Sequence, residues 1–460
     1  MADSVTFTQA SAPARVERAL LALLVLGKLF VALVTWGIST GFDRGPYLEM
    51  VRSIRGLDLP PVDELFYSYH PPLCFLLTRG IMLTGLGAAR AAQVHSFLAV
   101  FASFLVARHV MKSLGLLRSF PGLLLLYGSF SMPIVIGLSW GVEMESTVLL
   151  CFILVLQASV ACFFPVARAQ DGPTRVRLRF LWLGVCLALG LYTKFTCLLF
   201  LAVPVLCLIA SWAVAQRPLR EVARASGRLA GSFALTGLLA APFYGVHYYA
   251  ETGTFLPGNV EKFGQPGLAA NRDEVDRDLE GVLWRLLTVN VPDLRGRHDS
   301  INDNWYGSFW FQLWRRDPSM GYPPDPEGRN ASPPRVRSIG DFYLGNLRWF
   351  LVGGWLLFVV TVFRRRMTVL EGLGLVLLVF GVVLVVAQLA FALNTPKWDW
   401  QPLKAKYIIP AVFTVVYGLA YTATLGEALP PGSRVQRALA LVVVALLALF
   451  VGVNHFAVVY

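Results

Sequence analysis

Charge is scarce in this chain. Only 15% of its 460 residues are Asp, Glu, Lys or Arg, against 56% hydrophobic, and the mean hydropathy is +0.60. A soluble domain of this size carries about a quarter charged residues, so a soluble fold is excluded. Acids are scarcer than bases, 28 against 40, which leaves a net charge of +12. Cysteine is also sparse. The six residues Cys74, Cys151, Cys162, Cys186, Cys197 and Cys207 form no CxxC pair, and five lie inside apolar runs. That pattern excludes a disulfide framework and a zinc site, and the thiols read as small buried hydrophobes. Neither an internal repeat nor an inverted pair of broken helices is visible, which is the signature of many transporters. The polar segment Met1–Arg18 leads into an apolar run too long for a signal-peptide core and without a small-residue cleavage site, so that run reads as a retained first helix.

What the chain does have is long apolar runs. About 20 helical residues cross a hydrocarbon core of roughly 30 Å. Eleven runs meet that need, at about 18–39, 88–111, 119–138, 142–164, 180–193, 195–214, 229–249, 342–362, 369–392, 407–425 and 438–457. The fifth and sixth form one apolar stretch interrupted at Thr193-Lys194. The basic residues gather in short connections: Arg15 and Arg18, then Lys112 and Arg118, Arg168 to Arg179, Arg217 to Arg228, Arg364 to Arg366, and Arg434 with Arg437. Eleven spans put all of these clusters on one side, which the positive-inside rule makes cytoplasmic. The excess of bases is therefore topology, and no nucleic-acid partner is expected.

The opposite side receives two long connections, 41–87 and 250–341. Loops of this length are usually functional or disordered. The second carries Trp284, Trp305, Tyr306, Trp310 and Trp314, too many aromatics for a linker. The expected fold is an all-α polytopic bundle of about eleven transmembrane helices with two long external loops. It divides into an N-terminal module, 1–250, an external region, 251–341, and C-terminal helices, 342–460.

Several polar groups fall on that same external face. Asp43, after the first span, has the position of a general base or of an interfacial acid paired with Arg44. His70 precedes Pro71-Pro72, which block helix continuation and present it rigidly to a phosphate or a sugar hydroxyl; interfacial anchoring fits it equally. Glu143 and Glu145 open the fourth span, where one acid is enough to cap a helix. Lys194 interrupts two apolar stretches and needs an anionic partner unless it snorkels. Lys404 and Lys406, in the run KWDWQPLKAKYIIP, break the positive-inside trend, and a lipid phosphate or an aromatic belt accounts for them. Lys28, near the middle of the first span, is expected to face the bundle and pair with an acid or with backbone carbonyls.

These segments resemble the GT-C superfamily of polytopic glycosyltransferases, and within it the protein O-mannosyltransferase and aminoarabinose-transferase group. FDRGPYLEMVRSIRG looks like that group's opening of the first external loop, with Asp43 in the acid position and Arg44 in place of the second acid. His70-Pro71-Pro72-Leu73, the acids Glu143 or Glu145, Thr193-Lys194 and Lys406-Tyr407-Ile408-Ile409-Pro410 follow in the group's order, with Lys406 for its usual Arg. The resemblance covers the first half well and the tail loosely, and nothing in 250–341 matches.

The resemblance implies an inverting glycosyltransferase that takes a sugar from a polyprenyl- or dolichyl-phosphate carrier on the non-cytoplasmic face. Asp43 would be the base, with Glu143 and Glu145 in catalytic support. Arg44, Tyr47, His70, Lys194, Lys404, Lys406 and Tyr407 would contact the donor; outside the resemblance, the outer aromatics Trp305 and Tyr306 are expected to line the sugar or acceptor groove. No cofactor is implied; other branches of the superfamily need a metal. The partners are the lipid-linked donor, membrane lipids and an acceptor that is protein, glycan or lipid. A flippase for a lipid-linked sugar and a non-catalytic subunit of a glycan-assembly complex are the competing readings. The Ala- and Arg-rich, Lys-poor composition points to a bacterial inner membrane rather than the endoplasmic reticulum, where the sequon Asn330-Ala331-Ser332 would matter.

Overall fold

A computed structural model describes residues 14–37, 44–56, 58–62, 64–65, 68–164, 172–216, 218–253, 348–362, 367–394, 408–427 and 433–457. Among these the chain is helical, and Arg55 and Asp58 form an isolated bridge. In order the helices are α1 (Ala14–Val34), α2 (Arg44–Ser53), α3 (Leu73–Met82), α4 (Ala88–Ser113), α5 (Phe120–Leu123), α6 (Pro133–Leu138), α7 (Glu145–Phe163), α8 (Pro173–Thr193), α9 (Ala202–Ala215), α10 (Leu219–Ala241), α11 (Tyr249–Thr252), α12 (Arg348–Val362), α13 (Val369–Asn394), α14 (Ala411–Thr422), α15 (Thr424–Glu427) and α16 (Arg434–Ala457).

Six helical stretches among the described residues are long and apolar enough to cross a membrane: 88–113, 145–163, 173–193, 195–215, 219–252 and 369–388. The chain is a multi-pass integral membrane protein. Helix α1 reaches 21 residues, yet Glu17, Arg18 and Lys28 dilute its apolar character.

Local sequence accounts for the interruptions. Pro173 occupies the first turn of α8, where its missing N–H costs nothing. The helix ends at Thr193, Lys194 is extended (φ −159, ψ 140), and a 3₁₀ stretch Phe195–Leu201 leads into α9. The run 119–138 departs from the single span expected of it. It is a chain of short pieces: α5, a π-helical segment Leu124–Gly128, and α6. Pro133 lacks an N–H and drives the preceding residue out of the α region, and Met132 is accordingly extended (ψ 135). Pro242 likewise opens a π-helical segment, Pro242–Tyr248, at the end of α10.

Small residues let the helices approach closely, as expected where lipid gives no hydrophobic drive for helix pairing. At the crossing of α8 and α10 a Cβ on Gly184 would lie 2.9 Å from the Ser232 carbonyl oxygen. Ser232 Oγ donates to the Phe180 carbonyl at 2.8 Å, and Thr236 Oγ1 to the Gly184 carbonyl at 3.1 Å. Helix α12 meets α14 at Gly354 and Gly418 in the same manner. Lys28, 3% exposed, donates to Ser139 Oγ at 3.1 Å, so its hydrogen-bond partner is a hydroxyl and not the acid or carbonyl expected.

Two hydrophobic clusters organise the interior. The larger fills the bundle between α1, α4, α7 to α9, α13, α14 and α16. The smaller is a separate layer over one end, where Tyr47, Met50 and Val51 of α2, Tyr69 and Phe75 pack on Val142, Met144, Phe243 and Tyr248. The described part of the first long connection is thus a roof, held down by its own apolar side chains.

Candidate functional site

The roofed end collects the C-terminal ends of α1, α8 and α10 and the N-terminal ends of α4 and α7. Gln93 at the start of α4 accepts from Gly37 N at 3.1 Å and donates to the Thr35 carbonyl at 3.2 Å. Ser96 Oγ donates to the Gly141 carbonyl at 2.7 Å. The Tyr192 and Tyr244 hydroxyls donate across to Leu239 and Leu191 carbonyls at 3.0 and 2.7 Å. Val62 N donates to Glu251 Oε2 at 2.6 Å and ties the roof to α11. At the opposite end Arg108 pairs with Glu17 at 2.8 Å, between the other ends of α4 and α1.

Within the roofed end lies a buried ion pair. Lys194 Nζ donates to Glu145 Oε1 at 3.0 Å, with the two side chains 14% and 6% exposed. The break after Thr193 turns Lys194 inward, and Glu145 sits in the first turn of α7. Lys194 is thus turned into the bundle onto a carboxylate of α7. Glu143, also buried, lies two residues before Glu145.

His70 and Tyr47 share the field of that pair. Burial, with the Lys194 cation beside it, pushes the His70 imidazolium pKa down to about 3, partly opposed by Glu145. A neutral imidazole offers one donor and one acceptor but no charge. Its ring lies 4.1 Å from that of Tyr69. The Tyr47 phenol is fully buried, and burial above all holds its pKa well above the ordinary value. Its hydroxyl shares a hydrogen bond with Thr78 at 2.8 Å. Thr78 is 2.9 Å from His95 Nδ1, and His95 Nε2 is 3.1 Å from Thr147, two residues after Glu145 in α7. This buried chain joins α2, α3, α4 and α7.

The structure therefore gathers Glu145, Lys194, His70 and Tyr47, with Glu143 adjacent and Arg44, half-buried, at the start of α2. Asp43, Trp305, Tyr306, Lys404, Lys406 and Tyr407 lie outside the described residues. Thr78, His95 and Thr147 were not anticipated, although three polar residues close together in an apolar helix, Gln93, His95 and Ser96, mark an inward face. Among the described residues, no three His, Cys, Asp or Glu side chains gather as metal ligands.

No family model matches the chain, and no curated protein does. Solved structures do. The crystal structure of ArnT from Cupriavidus metallidurans bound to undecaprenyl phosphate matches over 93% of this chain at 15% identity, with a TM-score of 0.50. The chain spans 64% of the length of that protein. The archaeal oligosaccharyltransferase AglB from Archaeoglobus fulgidus, in complex with an inhibitory peptide and a dolichol-phosphate, matches over 96% of this chain and 56% of its own, at 12% identity and a TM-score of 0.47.

Proposed function

From a GT-C-like fold, which the likeness to ArnT establishes, we propose that this chain is a membrane glycosyltransferase using a polyprenyl-phosphate sugar. The observation that carries the reading is the Glu145–Lys194 pair, buried at one end of the bundle beneath the roof. A lysine held against a carboxylate in a largely buried site offers an ammonium donor to a phosphate that enters beside Glu145. The ArnT structure's undecaprenyl phosphate supports a carrier of that chemistry.

In the proposed reaction Asp43 takes the proton of the acceptor hydroxyl, the acceptor oxygen attacks the anomeric carbon, and the carrier phosphate leaves with the bonding pair. Lys194 balances the charge that develops on the phosphate. His70 and Tyr47 hydrogen-bond the sugar or the phosphate, with Arg44, Lys404, Lys406, Tyr407, Trp305 and Tyr306 completing the donor and acceptor groove. Glu143 and Glu145 hold the cations in place. The eleven-span topology, with the basic loops cytoplasmic, puts this site on the outer face, and 1–250 forms the catalytic module. The reaction is inverting, and a bacterial inner membrane is its setting.

The test is release of carrier phosphate from a panel of polyprenyl-phosphate sugars by the purified chain, with Asp43→Asn in parallel. Release that is lost in Asp43→Asn supports both the reaction class and the base. A folded protein that binds carrier yet releases none from any donor refutes the enzyme and favours a flippase or a glycan-assembly subunit.

A further inference from the structure

At the end of the bundle opposite the Glu145–Lys194 pair, the C-terminal ends of α4 and α7 and the start of α8 enclose a pocket of about 430 Å³. That is within the range of small-molecule sites. Its polar wall is His109 from α4, Gln157 from α7, and Arg175 and Arg179 from α8; among the described residues no acidic side chain lines it. Two features make it a built site. Arg179 Nη1 donates to the Ala161 carbonyl at 2.9 Å, in the last turn of α7, where the helix leaves its carbonyls unpaired. The guanidinium is thereby set at the pocket wall. Trp182 Nε1 donates to Gln157 Oε1 at 3.2 Å and closes the pocket between α7 and α8.

The pocket does not end in polar groups. Leu178 and Trp182, which line it, are 58% and 43% exposed on the outer surface of α8, and the next residue before Trp182, Leu181, is 51% exposed. A ligand held here meets cationic and hydrogen-bonding groups at one end and a lipid-facing apolar strip at the other. We infer that this pocket binds the phosphodiester headgroup of an anionic glycerophospholipid, with an acyl chain laid along Leu178 and Trp182. Arg175 and Arg179 supply the charge complement, and a guanidinium's planar fork suits two phosphate oxygens. The apolar strip favours a lipid over free phosphate, which has nothing to place against it. The inference is independent of the transferase reading, because the pocket is formed at the other end of α4, α7 and α8.

The experiment is thermal unfolding of the purified full-length chain in detergent, with added phosphatidylglycerol, phosphatidylcholine or inorganic phosphate. Phosphatidylglycerol is expected to raise the Tm by about 2–4 °C, while phosphatidylcholine and inorganic phosphate leave it unchanged. Arg179→Gln loses the bond to Ala161 and can weaken the fold, so the deciding variant is Arg175→Gln combined with His109→Gln, both on exposed positions. That variant is expected to keep the unliganded Tm and to weaken phosphatidylglycerol binding about tenfold or more. Equal shifts from phosphatidylglycerol and phosphatidylcholine overturn the inference, as does an undiminished shift in the double variant. A shift reproduced by inorganic phosphate alone overturns the lipid assignment.

Discussion

Removing one member of the Glu145–Lys194 pair is the perturbation whose size follows most directly from the structure. At 3.0 Å and an effective dielectric of about 20 the gross attraction is about 5 kcal/mol, before desolvation is subtracted. With both side chains largely buried, loss of one partner leaves an uncompensated charge, which costs about 3–5 kcal/mol. Glu145→Gln and Lys194→Met are each expected to lower the Tm by about 3–5 °C, taking about 1 °C per kcal/mol for a chain of 460 residues. The double variant removes both charges and is expected to recover most of that loss, with a coupling energy of about 2–3 kcal/mol. Polyprenyl phosphate distinguishes the singles. In Glu145→Gln the phosphate replaces the missing counter-ion of Lys194 and restores stability, by about 2.7 kcal/mol at a hundredfold excess over Kd. In Lys194→Met it restores nothing. Additive losses in the double variant, or equal rescue of both singles, refute this reasoning.

Three further outcomes follow from neighbouring geometry. His70 has a folded pKa of about 3, below the 6.5 of an unfolded imidazole, so the unfolded chain takes up the extra proton as pH falls. Its contribution is complete above about pH 6.5 and declines toward pH 3 by about 1.4 kcal/mol per unit; the Tm of His70→Gln should fall less steeply than that of the wild type between pH 7 and 5, and parallel curves would count against a buried neutral imidazole. Tyr47→Phe removes the bond to Thr78 and should cost about 1 kcal/mol of stability, read as a small drop in Tm, while raising KM for the donor more than it lowers kcat. Gly184→Leu forces a side chain against Ser232 and Leu235 and should destabilise by about 1–3 kcal/mol in thermal unfolding, whereas the same change at Gly231, which has open space around it, should be tolerated.

The helices were legible because apolar length is a one-dimensional signal. Thr193-Lys194 was readable as a break for the same reason: a lysine there cannot continue an apolar run without a partner. That the partner is Glu145 was not readable, since 49 residues separate them and only the packing of α7 on α8 brings them together. The run 119–138 misled because its hydropathy is continuous while its backbone is not; Pro121, Gly128 and Pro133 carried the warning. Lys28 illustrates the other limit. Its burial was expected from its place in a span, but its hydroxyl partner, Ser139, is the residue that ends the broken segment after α6. The chain Tyr47–Thr78–His95–Thr147 was missed because each member reads as an ordinary helix residue until four helices meet.

The central claim is that Lys194 stabilises the departing carrier phosphate, and single-turnover release of carrier from one accepted polyprenyl-phosphate sugar tests it most directly. Lys194→Met is compared with the wild type at saturating donor, with the Glu145→Gln/Lys194→Met double variant as a control for stability. Both variants are expected to release carrier about a hundredfold to a thousandfold more slowly, because the double variant regains the fold without regaining the charge. Release at the wild-type rate in the double variant would contradict the account.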